Sequence, residues 1–315
     1  MNILVTGANG FVGQALCAHI PRHGFNAYGL LRKKQENLTI KKQFIVEDFL
    51  KHSDWEPILK GMDAVIHAAG LAHVKSRPDK DYYEINTEIT KKLALECVKF
   101  NVKRFVYISS LAVYGVSSSQ DVVALSTPLN PKTPYGHSKL SAEKFLQNLH
   151  ETGTLEIVIV RPPLVYGPRV SGNVLTLLKS IQKGIPFPFA GTKNKRSMVF
   201  VQNLADALVL CASHPKAKGH TFFVSDNHPL SIGEFIQGLA EGMGKKANLF
   251  YLPEFFLKTP FKLIGKSEYL KKITGSLQLD ISSIQKTLGW KPLVSVEEGL
   301  RETARSFQSL IGHPL

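Results

Sequence analysis

The first thirteen residues narrow the fold of this chain more than anything after them. Asn2-Ile3-Leu4-Val5 reads as a strand. Thr6-Gly7-Ala8-Asn9-Gly10-Phe11-Val12-Gly13 then carries it through a GxxGxxG turn into a helix. Each glycine answers a separate demand. Gly7 stands where the chain turns sharply, Gly10 where backbone must approach a pyrophosphate, and Gly13 where helix packs on strand. The helix N-terminus offers free N–H groups and the positive end of its dipole to an anion. A glycine triplet alone says little, but this one lies between a strand and a helix, the context in which it predicts dinucleotide binding. Gly7, Asn9, Gly10, Phe11, Val12 and Gly13 are the residues expected around the cofactor.

The rest of the first half repeats the alternation. Strand-like runs at Ile3–Thr6, Ala27–Leu31, Phe44–Val46, Ala64–His67, Phe105–Ser109 and Glu156–Val160 are separated by helical patterns near Val12–His23, Tyr83–Asn101 and Tyr135–Glu151. This order implies a parallel sheet with helices on both faces. Ala64–His67 and Phe105–Ser109 are almost wholly apolar, as strands covered on both faces should be. After Pro162 prolines and glycines become frequent, then helical stretches such as Asn203–Ala212 recur, and Phe222–Val224 reads as a strand returning to the sheet. The expectation is an α/β fold, a doubly wound parallel sheet of Rossmann type with a smaller C-terminal substrate lobe. Residues 1–165, with 197–225 returning, form the dinucleotide-binding domain; 166–196 and 226–315 form the lobe. With 43% apolar residues in 315, the chain can bury a core of that size.

Two further patterns carry chemistry. Tyr135-Gly136-His137-Ser138-Lys139 is a YxxxK pair, whose i and i+4 side chains share one helix face. A phenol is a poor base at neutral pH. A neighbouring ammonium and a cationic nicotinamide favour the phenolate, which makes Tyr135 an acid/base for a hydroxyl or ketone. Lys139 would also hold the nicotinamide ribose. Upstream, Ser109 and Ser110 end a buried strand at the carboxyl edge of the sheet, where doubly wound folds place their sites. Ser110 can hydrogen-bond the reacting oxygen. The second strand ends in Leu31-Arg32-Lys33-Lys34 without the carboxylate that commonly holds the ribose of NAD. Arg32 can pair with a 2′-phosphate, which favours NADP or dual use, or stack on adenine and leave NAD acceptable.

The charge of +14 favours anionic partners, or simply a solubilising surface. No nucleic-acid module or basic–aromatic ladder accompanies it, so no nucleic-acid partner is expected. Phe250–Lys272 mixes aromatics with lysines. It reads as a lobe helix roofing the cleft, or as a peripheral contact with an anionic membrane. Cys17, Cys97 and Cys211 lie far apart without CxxC, consistent with reduced thiols in a cytoplasmic protein. Neither a signal peptide nor a transmembrane run is recognisable. His19 and His23 read as a solvated helix face, and no metal is expected. No GxSxG supports a hydrolase.

With these motifs in place, the chain resembles the extended short-chain dehydrogenase/reductases, in particular their NAD-dependent epimerase/dehydratase branch acting on nucleotide sugars. The matching pieces span nearly its whole length: TGANGFVG at 6–13, HAAG at 67–70, SSLAVYG at 109–115, YGHSK at 135–139, RPPLVYGP at 161–168, Arg196 to Ala207, and Leu288-Gly289-Trp290-Lys291-Pro292. The resemblance implies Ser110, Tyr135 and Lys139 as catalytic triad. It implies Asp48 and Phe49 at the adenine, Ala68, Ala69 and Gly70 lining the cofactor with Ser109 and Pro162, and Arg196 on the substrate diphosphate. It also implies a homodimer. One departure stands out: Leu164 occupies the place of the family's asparagine near the diphosphate, and Asn173 is a candidate replacement contact. Arg161–Pro168 and Thr274–Asp280 look most like bacterial 4-ketoreductases making UDP-N-acetylquinovosamine. The reading is therefore a 4-ketoreductase of a UDP-4-keto-6-deoxy-N-acetylhexosamine in surface polysaccharide synthesis. The alternatives are a 4-epimerase of UDP-glucose or UDP-N-acetylglucosamine, or an epimerase of a polyprenyl-diphosphate-linked sugar. A non-catalytic NADP sensor is the rival of a different class, and the YxxxK pair speaks against it.

Overall fold

The computed structural model describes residues 1–36, 38–72, 77–253, 256 and 267–312. Seven strands form one all-parallel sheet: β1 (Asn2–Thr6), β2 (Asn26–Leu31), β3 (Lys42–Ile45), β4 (Ala64–His67), β5 (Arg104–Ile108), β6 (Glu156–Arg161) and β9 (Thr221–Phe223). Their spatial order, β3-β2-β1-β4-β5-β6-β9, reverses direction between β1 and β4. That reversal is the switch point outside which open α/β sheets bind ligands. The expected doubly wound Rossmann fold is thus what the chain adopts.

Two helical layers explain the apolar strands. On one face α1 (Phe11–His19) and α7 (Val201–Ser213) bury Leu16, Cys17, Leu204 and Leu208 against Ile3, Val5 and Ile66. On the other, α4 (Ile89–Lys99) and α5 (Pro134–Glu151) bury Leu93, Ala94, Ala142 and Leu146 against Leu4, Val65 and Phe105. All four residues of β4 are fully covered. Burying each Val, Leu, Ile or Phe side chain in these layers contributes about 1.5–3 kcal/mol. Short helices α2 (Glu56–Leu59) and α3 (Asp79–Tyr83) complete this half, and a π-helical turn at Glu84–Glu88 joins α3 to α4.

A third core gathers residues from both later segments. It holds Tyr166 of β7 (Leu164–Tyr166), Leu178 of α6 (Gly172–Gln182), Phe200 of β8 (Met198–Phe200), Phe235 and Leu239 of α8 (Ile232–Gly242), and Leu300 and Phe307 of α11 (Val296–Gly312). Strands β7 and β8 pair in a small separate sheet that the sequence reading did not anticipate. At three residues each, they are too short to show a period. Among the described residues, helices α9 (Ser267–Thr274) and α10 (Ser282–Leu288) lie between α8 and α11 in the chain.

Two expectations need correction. The first helix does not run from Val12 to His23 as one piece: α1 ends at His19, and Ile20–His23 continues as a tighter 3₁₀ turn beginning with Pro21 at its second position. Nor is the histidine pair a solvated face, since His19 is buried against α7. The expected roof or membrane segment, Phe250–Lys272, falls for the most part outside the described residues. Among those described, no helix is long and apolar enough to cross a membrane.

Candidate active site

The glycine turn closes as its spacing requires. Gly7 has φ 63°, and its N–H donates to Leu30 O at 3.0 Å. A Cβ on Gly7 would lie 2.9 Å from Ala69 Cα, and one on Gly13 would lie 2.1 Å from Gly7 O. Backbone cannot yield at either point, so the turn packs directly against the segment after β4 and the first turn of α1 packs directly on the loop. No side chain caps α1 and no acidic residue stands in its first turn. The N–H groups of Phe11, Val12 and Gly13 therefore have no intrahelical acceptor, and the helix carries a partial positive charge there, about half an elementary charge. In donor chemistry and in space the turn would suit a dinucleotide pyrophosphate.

The segment after β4 is held by a buried hydrogen-bond chain. Thr6 Oγ1 bonds His67 Nδ1 at 2.7 Å and accepts from Ala69 N–H at 3.1 Å, while His67 Nε2 meets Thr90 Oγ1 at 2.9 Å. Asn86, in the π-helical turn, accepts from Leu71 N–H, returns a bond to Leu71 O and donates to Ser138 Oγ. The chain runs from β1 through β4 to α5 and fixes Ala68, Ala69 and Gly70 beside the glycine turn. Burial, with Lys139 nearby, pushes the His67 imidazole down to about 3, so it stays neutral. Sequence reasoning missed both His67 and Asn86. His67 belongs to the HAAG motif, but nothing in it tells that the ring points into the sheet.

Ser110, Tyr135 and Lys139 come together at the carboxyl edge of β5. Ser110 caps the 3₁₀ turn Leu111–Tyr114, its Oγ accepting from Ala112 N–H at 3.1 Å. Thr133 caps α5 with Pro134 in its first turn. A Cβ on Gly136 would lie 2.6 Å from Ala112 O. The helix start therefore rests on the Ser110 turn, which brings Tyr135 to Ser110. The Ser110 hydroxyl hydrogen-bonds the half-buried Tyr135 phenol. Burial raises the Tyr135 phenol, and the Ser110 bond works in the opposite direction. One turn along, Lys139 Nζ donates to Ile108 O at 2.9 Å and lies 4.7 Å from the Tyr107 ring centroid. Burial lowers the Lys139 ammonium to about 8, against a partial counter-effect of Glu143. Glu143 is itself held by Arg161 in a fully buried two-point pair.

The other expected residues are placed as follows. Arg32 is exposed at the carboxyl end of β2. Asp48 is exposed beyond β3, its carboxylate accepting the N–H groups of Leu50 and Lys51. Phe49 is buried against Trp55 rather than open to a ligand, so any contact through it is by backbone. Pro162 is buried at the end of β6, where its carbonyl accepts from Leu111 N–H. The Ser109 hydroxyl is buried and has no partner among the described residues, an orphan such as a bound group would satisfy. Arg196 uses Nη1 to hold Ser117 O and Gly275 O, tying the loop after Ser110 to the one before Gln278. Asn173 is exposed in the first turn of α6, and Leu164 is 48% exposed on β7. Orphan, cradle and donor set together fit a nicotinamide dinucleotide.

Comparison with known proteins agrees. The NAD dependent epimerase/dehydratase family model matches residues 3–225. UDP-glucose 4-epimerase of Vibrio cholerae is 37% identical, with 97% of this chain and 95% of that protein aligned. N-acetyl-alpha-D-glucosaminyl-diphospho-ditrans,octacis-undecaprenol 4-epimerase of Escherichia coli O157:H7 is 27% identical over 90% of this chain and 84% of that one. Among solved structures, UDP-glucuronic acid 4-epimerase from Bacillus cereus in complex with NAD superposes with a TM-score of 0.80 at 25% identity, covering 98% of this chain and 97% of that one.

Proposed function

The chain belongs to the NAD dependent epimerase/dehydratase family, and on that premise we propose that it is a UDP-sugar 4-epimerase, with UDP-glucose or UDP-N-acetylglucosamine as substrate. The observation that carries the reading is the Ser110–Tyr135–Lys139 constellation beside the glycine cradle, in a chain whose 37% identical relative is a UDP-glucose 4-epimerase. The relatives favour epimerisation over the one-way 4-ketoreduction expected from the sequence.

The nicotinamide, when bound, accepts a hydride and gives it back. The chain's own residues manage the proton and the geometry. Tyr135, as phenolate, takes the C4 hydroxyl proton while C4 loses hydride, giving a 4-keto sugar. Ser110 donates to the C4 oxygen throughout and polarises the ketone. Lys139, cationic at neutral pH, favours the phenolate. After the ketone turns over, hydride returns to its other face and Tyr135 gives the proton back. One C–H and one O–H bond break and re-form, so no cofactor is consumed. Residues 1–165 with 197–225 are assigned to the cofactor; 166–196 and 226–315 are assigned to the sugar nucleotide, with Arg196 and Asn173 toward its diphosphate. The neighbouring structure supports NAD as cofactor; exposed Arg32 leaves room for NADP.

The test is a panel of UDP-sugars with no cofactor added, products identified by NMR and NADH absorbance followed. The expected result is interconversion of C4 epimers without net absorbance change. Stoichiometric NAD(P)H consumption with a UDP-4-keto-6-deoxy sugar, and no epimer from any UDP-sugar, would replace this reading with the reductase. Turnover confined to a polyprenyl-diphosphate sugar would move the substrate to a lipid carrier.

A further inference from the structure

Remote from Tyr135, three potential ligands converge. His19 ends α1, and His23 ends the 3₁₀ turn that follows it. Asp206, in the middle of α7, faces both: His19 Nε2 and His23 Nε2 each lie 3.1 Å from Asp206 Oδ1. The three ligand atoms lie within 4.8 Å of one another, and this is the one such group of three among the described residues. The other carboxylate oxygen is occupied, since Trp290 Nε1 donates to Asp206 Oδ2 at 2.8 Å.

We propose that His19, His23 and Asp206 bind a divalent transition-metal ion, with zinc the best fit. Ligands about 2.0–2.2 Å from a tetrahedral ion are a little over 3 Å apart. The two histidine–aspartate separations are already that short, and all three ligand atoms lie within 4.8 Å of one another. Two imidazoles and a carboxylate suit zinc, cobalt or nickel, and are poorly matched to calcium or magnesium. Trp290 fixes the carboxylate from behind, as outer hydrogen bonds fix the ligands of established metal sites. His19 and Asp206 side chains are 8% and 9% exposed, and that of His23 is 32% exposed. The site is thus rigid on two sides and reachable on the third, with a fourth coordination position left for water. A bound ion would join α1, the helix whose N-terminus forms the cofactor cradle, to α7 across the face of the sheet.

The experiment uses the full-length, tag-free chain stripped with EDTA. Cobalt is titrated in with visible absorption followed, then displaced by zinc. The expected result is one ion per chain with the intense absorption of tetrahedral cobalt, and a zinc-dependent rise in Tm. His23→Ala touches a half-exposed side chain and is expected to fold. It should weaken zinc binding by 100-fold or more and lose the rise in Tm. His23→Cys restores a ligand and should recover both. A wild-type chain that takes up no ion at micromolar free zinc would overturn the proposal. So would binding that His23→Ala leaves unchanged, and the cluster would then be a hydrogen-bonded clamp alone.

Discussion

At the scale of single residues, the proposed chemistry rests on the oxygen of Tyr135. Tyr135→Phe removes the phenol oxygen and leaves the ring against Tyr82, 6.2 Å away between centroids. Folding and NAD affinity are expected to be unchanged while kcat falls roughly 10²–10⁴-fold. An unaltered kcat, measured with NAD bound, would remove Tyr135 from the proton transfer. That Tyr135, Lys139 and Ser110 come together was legible in the sequence because their spacing and their place after a buried strand point the same way. His67 and Asn86 were not, because their roles depend on bonds to Thr6, Thr90, Leu71 and Ser138, partners that only the sheet register and the α5 packing bring near. His67 makes a pH test. Its imidazole falls from the ordinary 6.5 to about 3 in the fold, so below 6.5 the unfolded chain binds the extra proton and the native one does not. The stability it confers is whole above pH 6.5 and is lost as pH falls toward 3, on the order of a few kcal/mol. Urea unfolding from pH 7 to pH 4 should show this decline, and His67→Gln should flatten it. An equal slope in both proteins would assign the acid lability elsewhere.

Among the elements, the strand–turn–helix at the start was read correctly because glycine is the one residue that fits its close contacts. Gly13→Ala would place a methyl 2.1 Å from Gly7 O and 2.8 Å from Ala8 Cα. Both are backbone atoms, so the turn must open and the N–H groups of α1 must shift from where the proposed pyrophosphate would sit. NAD affinity is expected to drop at least 100-fold by calorimetry, with near-wild-type circular dichroism. Among the described residues Gly10→Ala meets Gly7 O alone, at 3.1 Å. Its effect should therefore appear in cofactor binding and hardly at all in Tm. If both variants bound NAD normally, the cradle would not be the cofactor site. Elements with weak local signals were less legible. The helical stretch read as Tyr83–Asn101 contains a π-helical turn, and the first helix stops early because Pro21 cannot continue it. The pairing of β7 with β8 joins residues over thirty apart in the chain, and no local pattern reports it.

For the molecule as a whole, the question is what holds the later core to the sheet, and Asp226 answers much of it. It lies just past β9 and is 8% exposed. Its carboxylate accepts from Tyr166 Oη at 2.7 Å, from Phe200 N–H at 3.0 Å and from Asn203 Nδ2 at 2.8 Å. Asn203 in turn accepts from the N–H groups of Leu293 and Val294 and donates to Val294 O, so one network binds β7, β8, α7 and the segment leading to α11. Burial raises the Asp226 carboxyl despite these three donors, so the site favours an acceptor more than it favours a charge. Asp226→Asn can keep its oxygen toward Phe200 and Asn203 and turn its amide toward Tyr166, whose hydroxyl then accepts. Asp226→Ala leaves three buried donors unmet, at a cost of about 3 kcal/mol. For a chain of 315 residues that corresponds to a Tm lower by about 4–5 °C. Calorimetry should therefore rank wild type above Asp226→Asn and both well above Asp226→Ala. An alanine variant within a degree of wild type would show that the later core is held by apolar contact alone, with the network following the packing instead of fixing it.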